Sequence, residues 1–475
     1  MKKTLSLSLF TVFLATLILV ANIQGLLYNC FNAVDFGIYL QGIYGLGHGD
    51  FNPFLTVRNL KLFTDHFDPI NFFPALLMKI TTFHPTVLMT FEWLVVMTLA
   101  VIVFLIAKRR INFIYSLLLA LIVFMNKPML LSLRFPVHPT TWSIVPLFLL
   151  SYFLFQDKVL GVFFSGISLL LFKESYPFAL FSLSFFYLIQ KRTKVFFLFL
   201  ITSILSYVLL FKIRPLLLGE TYSHSGLLFQ NAEQNPISFL ISKVVEFKYW
   251  DLFKNFLPFW IFIVFYINKE KSKFKLSHPF LGLVFFIAPL FLMQFIANRF
   301  DFHYGSTFVA LLLPLLLQDP ATEYFKNEKK QKWIWLMAGL FLFNAGSEIE
   351  KMSAQVFAHK NRQCVISSEK AQSIQKLLSL TGELKNENQI ATTGGAFNRV
   401  LRPGLLIYQI GGFSLIPTQF DTLLLEVHPK EHSWPLSPED IQRYLKQCSI
   451  YTKTVLLQDS FFYLGLGTYP KSCLQ

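Results

Sequence analysis

The chain has 475 residues, a net charge of +15, and is 54% hydrophobic with only 15% charged residues. An ordinary soluble chain is about 25% charged, so too few charges remain to cover soluble cores built from 56 Phe. Disorder, fibrous repeats and a purely cytosolic enzyme are excluded, and the mean hydropathy of +0.51 agrees with a polytopic membrane protein.

The first apolar run covers 5–23, after Lys2 and Lys3. No A-x-A-like cleavage site follows it and many more apolar runs do, so it reads as an uncleaved first helix. Further runs fall near 86–107, 111–131, 140–155, 159–172, 175–190, 194–212, 252–267, 279–297, 305–318 and 333–348. Counted against a bilayer of about 30 Å, these make eleven predicted spans, several of them short and one pair open to a re-entrant reading. Starting from a cytoplasmic N-terminus, the predicted inner loops collect seventeen Lys and Arg, whereas the short outer turns hold Arg134, Lys173 and Arg299. The positive-inside rule favours this orientation, which places the chain in a bacterial inner membrane with its C-terminal domain in the periplasm.

The segment 349–475 loses the long Phe/Leu runs and reads as a small soluble α/β domain. Its predicted strands are Gln389–Thr393, Leu405–Ile410, Thr422–Val427 and Thr454–Gln458. A predicted helix over 438–448 opens on Ser437, Pro438 and Asp440, a capping-box start. Cys30, Cys364, Cys448 and Cys473 form no C-x-x-C pair, so no zinc or thioredoxin-like motif is indicated. A Cys448–Cys473 disulfide is open to this chain in an oxidising compartment. The fold class expected is therefore a mainly α transmembrane bundle over 1–348, with a large first outer loop (24–85), and an extracytoplasmic α/β domain over 349–475.

No G-x-x-x-x-G-K-[ST], G-x-G-x-x-G or H-E-x-x-H occurs, so nucleotide-loop and zincin chemistries have no support. The basic balance follows loop topology and gives no reason to expect nucleic acid. The outer loops instead gather unusual polar residues. The first holds Asp35, Asp50, Asp65, His66 and Asp68; the next holds Arg134 and His138; then come Lys173-Glu174 and the Arg299, Asp301, His303, Tyr304 group. Ionisable groups at a membrane face cost a few kcal/mol unless paired or facing a wet cavity, so four such loops suggest one shared polar site. Asp65, His66 and Asp68 also form a candidate set for a divalent cation such as Mg²⁺ or Mn²⁺. Against that stand plainer readings: a surface helix cap at Asp35, a solvated turn at Asp65–Asp68, a helix start at His138 and an ion pair at Lys173-Glu174.

The stretch Val34-Asp35-Phe36-Gly37-Ile38-Tyr39 followed by Thr64-Asp65-His66-Phe67-Asp68-Pro69 resembles the membrane family numbered 2079 among the domains of unknown function. Val137-His138-Pro139, Lys173-Glu174, His303-Tyr304 and the strands after Gln389 are similar to further motifs of that family. Thr64 departs from the Gly usual before its Asp-His. The resemblance implies kinship with GT-C glycosyltransferases, which use polyprenyl-phosphate sugars and place an essential acid in the first outer loop, where Asp35 stands. It implies a lipid-linked sugar donor, a glycan, lipid or protein acceptor, and a site at the bilayer surface. On that reading Asp35, Asp65 and Glu174 are the candidate catalytic carboxylates, with Asp35 or Asp65 as base. Arg134, Lys173, Arg299 or a bound cation can neutralise the leaving phosphate, and His66, His138, His303 and Tyr304 complete the substrate-binding set. The alternative is a transporter or flippase of lipid-linked saccharides using the same acids; no internal repeat of spans supports it.

Overall fold

The computed structural model describes residues 2–475 except 32, 136, 219–235, 271–274, 298–303, 319–331, 362–363, 386–387, 403–404, 412–413 and 432–435. It is mainly helical with a small sheet domain at the C-terminus. Two compact units emerge: 1–16 with 66–70 and 92–349, and 17–65 with 71–91 and 350–475. The second unit thus joins most of the first outer loop to the C-terminal segment, a grouping that hydropathy alone does not show.

In the membrane unit each apolar run from 86 onward becomes a helix. Among the described residues four helices are long and apolar enough to cross a bilayer: Ser6–Leu27, Thr86–Lys108, Thr193–Leu218 and Pro279–Ile296. Two more spans arise if the bent pairs Phe113–Ile122 with Lys127–Leu133, and Tyr249–Asn255 with Leu257–Glu270, are each counted once. The breaks have a chemical cause. Pro128 and Pro258 supply no backbone N–H to the helices they enter, and Asn126 caps the second half of its pair by accepting from Met129 N. The eleven predicted spans therefore resolve into four to six of full length plus shorter apolar helices such as Pro139–Phe155, Val159–Leu169 and Tyr176–Ile189. Leu205, Leu216 and Leu217 are exposed, as lipid-facing side chains must be. The opposite faces bury Phe148, Phe186, Phe286 and Phe341. Gly282 lets its helix approach the helix Tyr176–Ile189, since a Cβ there would stand 2.7 Å from the Phe186 ring. This is a multi-pass membrane protein.

The second unit is built on a five-stranded sheet. We label the hairpin strands β1 (Phe54–Leu55) and β2 (Leu60–Lys61), and the sheet strands β3 (Gln389–Thr392), β4 (Leu406–Gln409), β5 (Gln419–Glu426), β6 (Thr452–Gln458) and β7 (Phe462–Pro470). Their order is β4-β3-β5-β7-β6, with β3 parallel to β4 and β5 and the remaining pairs antiparallel. The central strand β5 buries Leu423, Leu424 and Leu425 in succession, as a strand covered on both faces does. The helix Pro438–Ser449 begins with the expected capping box and lays Ile441 and Tyr444 on the sheet core. Strand β7 escaped the sequence reading because two glycines interrupt it; at Gly467 a Cβ would collide with the Tyr451 carbonyl. Cys448 is bonded to Cys473, and Cys30 to Cys364 across 334 residues.

Candidate functional site

In the membrane unit the uncommon polar groups gather around Lys173. Its turn links the helices Val159–Leu169 and Tyr176–Ile189, and Ile70 N–H ties the 66–70 segment to it by donating to Leu171 O at 2.9 Å. That tie carries His66 in, so that Nδ1 lies 3.2 Å from Glu174 Oε1. Lys173 Nζ stands 4.9 Å from the centre of the Tyr304 ring and 3.4 Å from Thr140 Oγ1. Tyr304 opens the helix Tyr304–Leu312, and its ring lies 6.2 Å from that of His138. Burial would lower the Lys173 ammonium, but Tyr304, Glu174 and Asp68 outweigh it and hold its pKa above the ordinary value. A buried cation, Arg214, sits 5.9 Å from the Phe67 ring. The sequence separations are large: 66–68, 138–140, 173–174, 214 and 304 meet in one unit.

One residue that sequence reasoning passed over supports this arrangement. Glu92, buried within the apolar helix Thr86–Lys108, accepts from Val137 N at 2.9 Å, His138 N at 3.1 Å and Trp142 Nε1 at 2.9 Å. Val137 has φ +64°, a conformation strongly disfavoured for a β-branched residue, and three bonds to one carboxylate hold the turn in it. His138 then caps the next short helix, its Nδ1 accepting from Thr140 N. The signal was present in the sequence: a lone acid inside an apolar span is costly and calls for a role. Arg134, read as a phosphate ligand, is engaged at 2.5 Å by Glu348.

The second unit receives the remaining candidates. Asp35 belongs to the helix Ala33–Gly47; its side chain lies outside the description, as do residues Arg299 and His303. Asp65 is buried, and its Oδ1 accepts from Arg58 Nε at 3.2 Å and Nη2 at 3.0 Å. Arg58 stands in the turn between β1 and β2, and β2 leads the chain back past it to Asp65, so Asp65 reads as an ion-pair partner and not as a free base. Among the described residues no three His, Cys, Asp or Glu side chains stand together as a metal cluster.

The chain matches no family model and no curated protein. Among solved structures it is similar to the crystal structure of ArnT from Cupriavidus metallidurans bound to undecaprenyl phosphate. The TM-score is 0.55 at 9% identity, over 97% of this chain and 98% of that one. The fold is ArnT-like. That likeness agrees with the helical membrane bundle and small C-terminal sheet domain expected from the sequence, while the 2079 family gains no support from a family model. At 9% identity it speaks for the arrangement of elements, and the roles of residues rest on this chain's own geometry.

Proposed function

We propose that the chain is a membrane glycosyltransferase that moves a sugar from a polyprenyl-phosphate donor to an extracytoplasmic acceptor. The observation that carries this reading is Lys173: a part-buried ammonium whose pKa is held above its ordinary value by Tyr304, Glu174 and Asp68, with Thr140 beside it. A phosphate leaving group needs such a fixed positive charge, and one inside a water-poor site is worth far more than one in water. The fold of a protein crystallised with undecaprenyl phosphate supports a lipid-phosphate ligand of this kind.

In the proposed reaction the acceptor oxygen bonds to the anomeric carbon as the bond from that carbon to the phosphate oxygen breaks. The acceptor proton goes to a carboxylate, for which Asp35 is the first candidate, and polyprenyl phosphate departs with the electron pair. Glu174 orients His66 through their hydrogen bond, giving the pair the form of a base and its positioning group. A single displacement inverts the anomeric centre. Two disulfides in the second unit suit an oxidising compartment, which supports placing that unit outside the cytoplasm, as the loop charges do. A cation requirement is proposed as open to EDTA titration.

The test is transfer in proteoliposomes, with labelled undecaprenyl-phosphate sugars and a membrane-glycan extract. Wild-type transfer that Asp35→Asn abolishes and Lys173→Met lowers by about 10²–10³, with folding intact, is the expected result. Movement of intact lipid-linked sugar between leaflets without transfer would replace the enzyme with a flippase.

A further inference from the structure

The second unit contains a partly open cavity of about 220 Å³ that none of the groups above occupies. It is smaller than the roughly 300–1,000 Å³ pockets that hold drug-sized ligands, so it suits one ring and its substituents. Its lining is mixed. Beside aliphatic residues it includes the aromatic Tyr44, from the helix Ala33–Gly47, and Phe83, their rings 5.3 Å apart. It also includes Asn398 and Arg399, from the short helix Ala396–Val400, and His84, exposed on the loop before the helix Thr86–Lys108.

Three polar groups in this cavity are placed for a ligand. Asn398 is 3% exposed; its Nδ2 donates to Phe31 O at 3.3 Å, while Oδ1 is buried with no hydrogen-bond partner among the described residues. Arg399 Nη1 is likewise buried and without a partner among the described residues. An arginine donor left in that state is costly, and an anion would satisfy it with a charge-assisted bond. His84 Nδ1 accepts from Thr86 N at 3.3 Å, which in the neutral ring leaves Nε2–H as the donor. Partial desolvation of the ring, and then the nearby Arg399 charge, shift its pKa down, which favours the neutral donor form.

We propose that this cavity binds a sugar unit carrying a carboxylate or phosphate, its apolar face on Tyr44 and Phe83, its hydroxyls on Asn398 and His84, and its anionic group on Arg399. A plain anion would not use the aromatic wall, and a neutral sugar would leave Arg399 unsatisfied. Assigning this sugar to the acceptor rests on the transferase reading above; the binding itself does not.

The experiment is saturation-transfer NMR titration of the full-length protein in nanodiscs, without donor lipid, using glucuronic acid, glucose 1-phosphate, glucose and inorganic phosphate. At least one charged sugar is expected to bind about tenfold more tightly than glucose, the effect of one charge-assisted hydrogen bond. Which of the two does so distinguishes carboxylate from phosphate. Arg399→Gln should erase the preference, and Arg399→Lys, which keeps charge without the planar fork, should retain part of it; circular dichroism melts confirm that both variants fold. Equal binding of glucose and both charged sugars, or a preference that survives Arg399→Gln, overturns the proposal. Inorganic phosphate binding as tightly as glucose 1-phosphate overturns its sugar part. A charged-sugar preference in a protein that shows no transfer removes the acceptor assignment alone, and transfer without that preference removes this cavity alone.

Discussion

Two lysines, one in each unit, stand among carboxylates and have opposite characters. Lys370, in the helix Ser368–Gly382, is fully enclosed; it pairs with Glu431 at 2.6 Å and donates to Tyr28 O at 2.7 Å. Glu431 accepts from Val365 N, and the adjacent Glu426 accepts from Gly395 N at 3.0 Å and Asn29 Nδ2 at 3.4 Å. Backbone groups complete that cluster, so its charges fasten the chain beyond the first helix to the sheet domain. Lys173 instead faces a phenol ring, a hydroxyl and the carboxylates Asp68 and Glu174, all on side chains that can rearrange around a ligand. Burial of a charge therefore does not mark a site. What distinguishes the two is whether backbone groups complete the cluster.

That contrast can be broken most sharply by removing each lysine. Lys370→Met leaves Glu431 and Glu426 buried beside no cation and should cost roughly 3–5 kcal/mol, read as loss of monodisperse protein or a lower melting temperature. An unchanged melting curve would return the Lys370 cluster to the status of an ornament. Lys173→Met should leave the melting curve close to wild type while lowering kcat/KM for transfer by about 10²–10³, the usual effect of losing one group aimed at developing charge. Destabilisation without a selective kinetic effect would class Lys173 with Lys370. Glu92→Gln keeps an acceptor but loses its charge, and should cost about 2 kcal/mol with altered donor affinity through His138; a neutral effect would show that the strained Val137 turn holds itself.

A further effect is expected on pH dependence. Burial first, then the neighbouring Glu431, raise the Glu426 pKa from 4.5 to about 8. Because the folded state holds the proton more tightly than the unfolded chain, the contribution of this group is present in full below pH 4.5. It is lost as pH rises through about 8. Chemical denaturation at pH 5.5 and 8.5 should therefore show a decrease in stability with rising pH that Glu426→Gln flattens; an identical decrease in the variant would assign it elsewhere.

Much of this molecule could be read from its residues. Apolar runs specified the helices because every peptide group within a bilayer must be bonded inside its own segment. The capping box at Ser437 and strands β3 to β6 were legible from local pattern, with boundaries shifted by one to three residues. Lys173-Glu174, His138 and Tyr304 stood out as charges and rings in short turns between apolar runs. Local pattern failed where partners are remote. Arg58 seven residues from Asp65 turned a candidate base into an ion pair, and nothing in the sequence linked Cys30 to Cys364.

The sequence by itself determined that the chain enters a membrane many times, that its C-terminal quarter is a different kind of domain, and which ionisable residues are too costly to be idle. These follow from composition and period, which act over one element at a time. Only the tertiary structure decided that Glu92 holds the His138 turn, that most of the first outer loop folds with the C-terminal segment, and that Arg399 and Tyr44 line one cavity. Each depends on residues far apart in the chain, brought together by packing whose energy is spread over many contacts and written in no single motif.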